Sequence, residues 1–391
     1  MTPNSKNLKT WVEVDSRALQ HNLRVVQKHV GKNVMVMAVI KSNAYGHGLL
    51  EVAKILTTYN LPARPAGGQL TTKIWFGVDS IDEALALKKA GIKNSILILG
   101  YIPHSRLAEA IRNGFRFALY DTDALTTTVR IAKQLHKKAY AHLKLETGTC
   151  RQGILPEELG AFVARLQKQQ SIVVEGAYTH FADTEDASSP FYKEQFAVFQ
   201  KGIALLMHAG IRPPLLHVAA SAAILRYPDT HMNMVRLGIS LYGLYPSKDV
   251  QSLALNKIKL KPVLTWKTRI AQIKQIPKGA TVGYDRAFIA LQPMKIAVLP
   301  VGYWDGYDRR LSNKGSVLIH GKKCSVVGNI CMNMIMVDVT DVPRMRAGDE
   351  AVLLGKQGSA EITSEELAAK IGTINYEVVT RINSLIPRII L

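Results

Sequence analysis

Over the first 245 residues, short apolar runs alternate with amphipathic runs of helical period, and no other feature constrains the fold as strongly. The strand-like runs cover residues 34–41, 74–78, 95–99, 115–120, 139–145, 172–178, 215–219 and 232–236. Between them lie helix candidates over 80–90, 104–113, 124–136, 156–168 and 190–208. Their starts carry Asp, Ser or Pro. Gly91, Gly114 and Gly210 stand where helices stop, because glycine takes the left-handed conformation of a C-terminal cap without penalty. Strands this apolar present no polar face to water, so they belong in a parallel sheet covered by helices. About eight such units in some 240 residues have the size and rhythm of a (β/α)8, TIM-type barrel. A doubly wound open sheet shares that rhythm and stays open on this ground alone.

Beyond Pro246 the rhythm changes. Strand-like segments follow one another over 263–276, 294–301, 316–320, 323–327, 334–339 and 351–354, separated by turns such as Pro277-Lys278-Gly279 and His320-Gly321-Lys322. Only 364–369 and the stretch from Asn375 towards the C-terminus read as helix. The expected architecture is α/β: a barrel domain over 1–248 followed by a mostly β domain over 249–391, with a first strand at 9–14 able to pack with the latter. Two domains also suit 391 residues, since single hydrophobic cores stop growing well below that length. Residues 59–72, rich in Pro, Gly and Thr, read as an irregular loop before the second barrel strand.

Composition narrows the function classes. No apolar run approaches the roughly 18–20 residues that cross a bilayer. Residues 1–10 are polar and basic without the apolar core of an export signal, so a cytoplasmic protein off the membrane is expected. Cys150, Cys324 and Cys331 form an odd set without C-x-x-C spacing, which fits reduced thiols better than a disulfide frame or a zinc site, and no metal is expected. The formal net charge is +20, yet Lys and Arg are spread along the chain and no nucleic-acid motif accompanies them. A solvated basic surface that attracts anionic small molecules is the expectation, without nucleic-acid binding.

The sharpest local feature is Lys41-Ser42-Asn43-Ala44-Tyr45-Gly46-His47-Gly48. It follows an apolar run directly and is expected to open a helix, which puts Lys41 at a strand's C-terminal end, on the catalytic face of a barrel. A lysine with apolar neighbours such as Ile40 loses its proton readily and can form a Schiff base with an aldehyde cofactor. Position alone does not separate this from an ordinary solvated lysine. Gly46-x-Gly48 imitates half of a dinucleotide fingerprint, but Glu51 stands where a third glycine must allow close approach. The stretch from Gly315 to Gly321, then Lys322-Lys323, nearly spells a P-loop; its spacing is one residue too long and no Ser or Thr follows the lysine.

The octapeptide resembles the cofactor-lysine motif of the bacterial alanine racemases, pyridoxal-phosphate enzymes of fold type III. Further segments resemble that family in order. They are Leu143-Lys144-Leu145-Glu146-Thr147-Gly148-Thr149-Cys150-Arg151, Tyr178-Thr179-His180-Phe181-Ala182, His217-Val218-Ala219-Ala220-Ser221 and Val235-Arg236-Leu237-Gly238-Ile239-Ser240-Leu241-Tyr242-Gly243. In the second domain Gly283-Tyr284, Gly302-Tyr303-Trp304-Asp305-Gly306, Val327-Gly328-Asn329-Ile330-Cys331-Met332 and Gly372-Thr373-Ile374-Asn375-Tyr376-Glu377 follow. The resemblance runs over practically the whole chain.

It implies a homodimeric enzyme that uses pyridoxal 5'-phosphate to interconvert L- and D-alanine, supplying D-alanine for peptidoglycan. Lys41 would hold the cofactor and then act as base on one face of the substrate's Cα. Tyr284, donated by the other subunit, would act on the opposite face, because a single base tends to return the proton where it came from. A phenol has an ordinary pKa near 10, so Tyr284 needs a neighbour for its proton or its anion, and His180 is the family's candidate. Arg236 would face the pyridine nitrogen of the cofactor. An arginine keeps its proton, so the ring nitrogen would stay unprotonated, disfavouring decarboxylation and transamination. The phosphate would fall to Tyr45, Ser221, Gly238, Ile239 and Tyr376. Arg151 would contact the cofactor's phenolic oxygen and the substrate carboxylate, Met332 would add a backbone N–H, and Tyr303 with Tyr376 would narrow the pocket mouth. Lys144 would be carbamylated beside Arg151; an ordinary lysine near chloride or Glu146 is the alternative.

The chain departs from the family's pattern at Thr149 (for methionine), Ala220 (for asparagine), Asn329 (often arginine), Asn333 (often aspartate) and Asp285 (often glycine). Rival readings are a basic-amino-acid decarboxylase of the same two-domain plan, a serine or broad-specificity racemase, and a non-catalytic cofactor-binding regulatory barrel. Arg236 and the lack of a glycine-rich phosphate loop speak against the first, and the β domain with Tyr284 against the last.

Overall fold

The computed structural model describes residues 7–59 and 74–391. The loop expected over 59–72 lies outside them but for Tyr59. Among the described residues, 20–42 and 52–261 form one compact unit, and 7–19, 43–51 and 262–391 form another.

The first unit is built on eight parallel strands, one from each apolar run. In sheet order they are Leu215–His217, Ile172–Tyr178, Ala139–Lys144, Arg116–Leu119, Ile96–Ile98, Trp75–Val78, Met35–Val39 and Met234–Leu237. The first and last strands in chain order pair with each other, Met35 opposite Met234, so the sheet curls round. At the remaining seam the Arg236 N–H donates to Ala219 O at 3.0 Å, which nearly closes the barrel. Met35, Met37, Trp75, Leu97, Leu215 and Met234 fill the interior as one buried cluster. The helices begin and end as their residues dictate. Ile81–Lys89 starts with a reciprocal Ser80–Glu83 capping box, and Leu107–Asn113 stops at Gly114 with φ 67°. No helix among the described residues is long and apolar enough to cross a membrane.

The second unit is mostly β. Its main sheet runs Lys322–Ser325, Ser316–Ile319, Glu350–Gln357, Leu264–Arg269, Thr10–Val14 and Arg388–Ile390, with Ala360–Ile362 paired to Glu350–Gln357. A second sheet joins Gln272–Ile276, Met294–Leu299 and Ile335–Asp338.

Three expectations need correction. The octapeptide does not open a right-handed helix: Ser42, Asn43, Ala44 and Tyr45 have φ of 54°, 54°, 52° and 53°, a left-handed turn, and the helix Leu49–Thr58 starts only after Gly48. The run 263–276 is two strands in different sheets. Its first half alternates buried and half-buried positions while its second half is largely exposed, and the break falls where the Ile270 N–H turns to Asp349 O and the Ala271 N–H to Val298 O. The C-terminal stretch is helical only over Asn375–Thr380; Pro387 lacks the N–H a helix needs, and Arg388–Ile390 adds to the main sheet as a parallel strand beside Thr10–Val14. The near-P-loop, likewise, is the hairpin Ser316–Ile319/Lys322–Ser325.

Candidate active site

Lys41 leaves the first barrel strand at its C-terminal end, half-exposed, with Nζ 3.2 Å from Asp79 Oδ1. Glu83 ties this corner together. Its Oε2 accepts the N–H groups of Asp79 (2.7 Å) and Ser80 (3.4 Å), and its Oε1 accepts the Ser42 N–H at 2.6 Å. The left-handed turn that follows is unfavourable for L-residues by about 1–2 kcal/mol each, so it persists only where its surroundings hold it. Within the second unit, Asn43 O accepts the Gly48 N–H and Asn43 Oδ1 the Leu49 N–H, both at 2.9 Å. The buried Arg388 guanidinium donates to Gly46 O at 2.8 and 3.1 Å. A methyl group at Gly46 would come within 2.0 Å of Val379 O, so only glycine fits there. Tyr45, at the end of the turn, lies 6.2 Å from Tyr376, ring centre to ring centre.

Arg236, on the last barrel strand, is buried. Its guanidinium donates to Thr179 O (2.7 Å), His217 O (2.7 Å), Val218 O (3.0 Å), His217 Nδ1 (2.9 Å) and His180 Nδ1 (3.1 Å). Because an arginine can only donate, both imidazoles must accept through Nδ1 and carry their proton on Nε2. Burial first, and the Arg236 charge next, push the pKa of His180 and of His217 well below the ordinary histidine value, so both are neutral. His217 Nε2 then donates to His142 Nδ1 at 2.9 Å, and Glu175, paired bidentately with Arg116, stands 3.8 Å beyond His142. Gly176 leaves the room this needs: a methyl there would sit 2.3 Å from His142 Nδ1.

The fifth barrel strand ends in Lys144, buried, 3.2 Å from Gln152 Oε1. Burial and the charges of Arg151 and Arg236 lower its pKa to about 8. The loop after it wraps on Glu146, whose carboxylate accepts N–H groups of Thr147, Gly148, Thr149 and Arg151, leaving the Arg151 side chain on the surface of this unit. After the seventh and eighth strands the buried Ser221 Oγ accepts the N–H groups of Gly238 (3.1 Å) and Ser240 (3.3 Å). With both lone pairs engaged, its hydroxyl proton is left to donate, and loops at this place in a barrel commonly hold phosphate.

In the second unit Tyr284 is 68% exposed at the tip of the hairpin Thr281–Val282/Phe288–Ile289. Tyr303 and Met332 are exposed on neighbouring loops, joined where Tyr303 and Trp304 N–H donate to Cys331 O and Met332 O. The residues sequence reasoning missed are Asp79, Glu83, Gln152 and the His142–Glu175 pair. Of these only Glu83 had a local signature, the Ser80-x-x-Glu83 capping box. Asp79 and Gln152 lie in loops and His142 and Glu175 on adjacent strands, and they acquire meaning only in space.

A family model described as "Alanine racemase, N-terminal domain" matches residues 14–246, and one described as "Alanine racemase, C-terminal domain" matches 263–390. The chain is 39% identical over 379 residues to an alanine racemase of Symbiobacterium thermophilum, covering 97% of this chain and 96% of that one. An alanine racemase structure from Clostridium difficile 630 superposes with a TM-score of 0.90 at 34% identity, covering 98% of this chain and 96% of the other. That of Bartonella henselae, with covalently bound pyridoxal phosphate, gives 0.83 at 28% identity over 98% and 100%.

Proposed function

The chain belongs to the alanine racemase family and is an isomerase that interconverts L- and D-alanine; we propose that Lys41 and Tyr284 move the proton on opposite faces of the substrate's Cα. The observation that carries this reading is the set of groups at the barrel's strand ends. A primary amine stands after the first strand, a permanent cation at the eighth, and a hydroxyl with its proton left to donate after the seventh. These fit a phosphorylated pyridine aldehyde, since each supplies what one part of that molecule needs. When bound, pyridoxal phosphate supplies electron withdrawal that makes the Cα proton removable.

The residues divide the remaining work. Lys41 holds the cofactor and then accepts or returns the proton on one face. Ser221, Gly238 and Ile239, with Tyr45 and Tyr376, hold the phosphate. Arg236, a donor only, would face the ring nitrogen of the bound cofactor and leave it unprotonated, which would favour proton exchange over decarboxylation. Arg151 and the Met332 N–H hold the substrate carboxylate, and Tyr303 narrows the mouth to a methyl side chain. His180, fixed by Arg236 as a neutral Nε2–H tautomer, is the right partner for a phenolate: it donates a hydrogen bond to Tyr284's oxygen and adds no charge of its own. Tyr284 comes from the second subunit of a homodimer. The exposure of Tyr303, Trp304 and Met332 on loops that hydrogen-bond to each other supports such a covered face, since large apolar side chains are rarely left bare together. Three free thiols support a reducing, cytoplasmic setting, where D-alanine for peptidoglycan would be made.

The test is conversion of L- and D-alanine by purified enzyme. Lys41→Ala should be inactive, and Tyr284→Phe should retain no more than about a hundredth of the rate, the scale of a lost general acid/base. Full activity in either variant would sink its assigned role.

A further inference from the structure

The turn that carries Tyr284 is strained. Gly283 has φ 77°, and the next two residues after the tyrosine, Asp285 and Arg286, have φ 60° and 51°. Two successive L-residues in the left-handed region need external support. Two asparagines supply it from a neighbouring pair of loops. Asn329 Nδ2 donates to Tyr284 O at 3.1 Å and to Asp285 Oδ2 at 2.9 Å. Asn313 Nδ2 donates to Ala287 O at 3.1 Å, at the far end of the turn, while its Oδ1 accepts the Gly328 N–H at 2.7 Å. The loops touch: a methyl at Gly283 would lie 3.0 Å from Asn329 N, and one at Gly328 2.5 Å from Val282 O. Arg309 adds a looser contact, 3.9 Å from Asp285.

A glycine takes φ 60° freely, whereas aspartate meets a steric cost in that conformation that a local hydrogen bond to its side chain offsets. We propose that Asp285 and Asn329 are a coupled pair that positions Tyr284, with Asn313 bracing the opposite end. This rests on reading Tyr284 as the opposing acid/base. A phenol that must meet Cα within hydrogen-transfer distance loses rate steeply on misplacement, on the order of a hundredfold for 1 Å.

The experiment uses holoenzyme carrying Asn329→Ala, Asp285→Gly, or both. Kinetics would be run with each enantiomer, protonated and deuterated at Cα, alongside melting temperature, cofactor absorbance and the 19F resonance of a fluorotyrosine label at Tyr284. Asn329→Ala should lower kcat about three- to tenfold, the range for losing hydrogen bonds to a partly exposed site, with KM within about twofold. The Cα-deuterium isotope effect should rise for one enantiomer only, because only one face is disturbed. The 19F line should broaden while melting temperature and absorbance hold. The double variant should lose less than the product of the single losses. Wild-type behaviour of the single variants, a Cα-deuterium isotope effect that rises equally for both enantiomers, or multiplicative losses would overturn the pairing. Tyr284→Phe separates the two failures: full activity there refutes the role of Tyr284 itself. Impairment there with wild-type Asn329→Ala and Asp285→Gly refutes only the pairing.

Discussion

Lys144 ends a barrel strand with its amine buried between two guanidinium charges, and burial followed by Arg151 and Arg236 brings its pKa down to about 8. About a tenth of it is then neutral at pH 7, against well under a thousandth for an ordinary lysine. The neutral amine is the form that combines with carbon dioxide, and the resulting anion would relieve the crowding of cations. Enzyme equilibrated with 13C-bicarbonate is expected to show a carbamate carbon by NMR, growing as pH rises through about 8 and missing in Lys144→Ala. A spectrum without that carbon at any pH would leave Lys144 an ordinary amine beside Gln152. The linkage has a second consequence for unmodified enzyme. The folded pKa, about 8, lies below the ordinary 10.5, so the folded state binds fewer protons in that window and stability rises with pH across it.

Among elements, the turn after Lys41 shows most clearly what a local pattern conceals. Gly46 and Gly31 share φ 87°, but a methyl at Gly46 would strike Val379 O at 2.0 Å, whereas Gly31 has nothing within 4 Å. Gly31→Ala should therefore cost about 1 kcal/mol, the conformational penalty alone. Gly46→Ala should cost on the order of 2–4 kcal/mol, since backbone must move. Denaturant melts of the two variants compare them directly, and equal losses would show that the Val379 contact is not what fixes glycine at position 46. The eight barrel strands were legible because apolar runs between caps are a local property. The left-handed turn was not, because Ser42-Asn43-Ala44-Tyr45 has no residue that demands it; within the second unit it is held by Asn43 and Arg388. The break at Ile270 and the terminal strand Arg388–Ile390 were hidden for the same reason, being decided by which strands they meet.

For the whole molecule, the proposed sharing of the active site between two subunits makes a sharp statement. Lys41→Ala subunits alone are expected to be inactive and Tyr284→Phe subunits nearly so. Allowed to exchange, they should form heterodimers in which one of two sites has both groups, restoring about a quarter of full activity on statistical mixing. No recovery, with heterodimers present by mass, would mean that Lys41 and Tyr284 act within one chain.

The order of apolar and helical runs, read without any structure, determined a parallel sheet covered by helices and a β-rich second part, and the contiguous motifs carried the family resemblance, because each depends on residues within a turn or two of one another. Most candidate residues were legible in the same way, as members of contiguous motifs. Only the tertiary structure decided how Arg236 sets the tautomers of His180 and His217, why the Lys144 pKa falls to about 8, and how Asn329 and Asn313 brace the turn that carries Tyr284. Those properties arise from desolvation and from hydrogen bonds between residues far apart in the chain, and no local pattern records either.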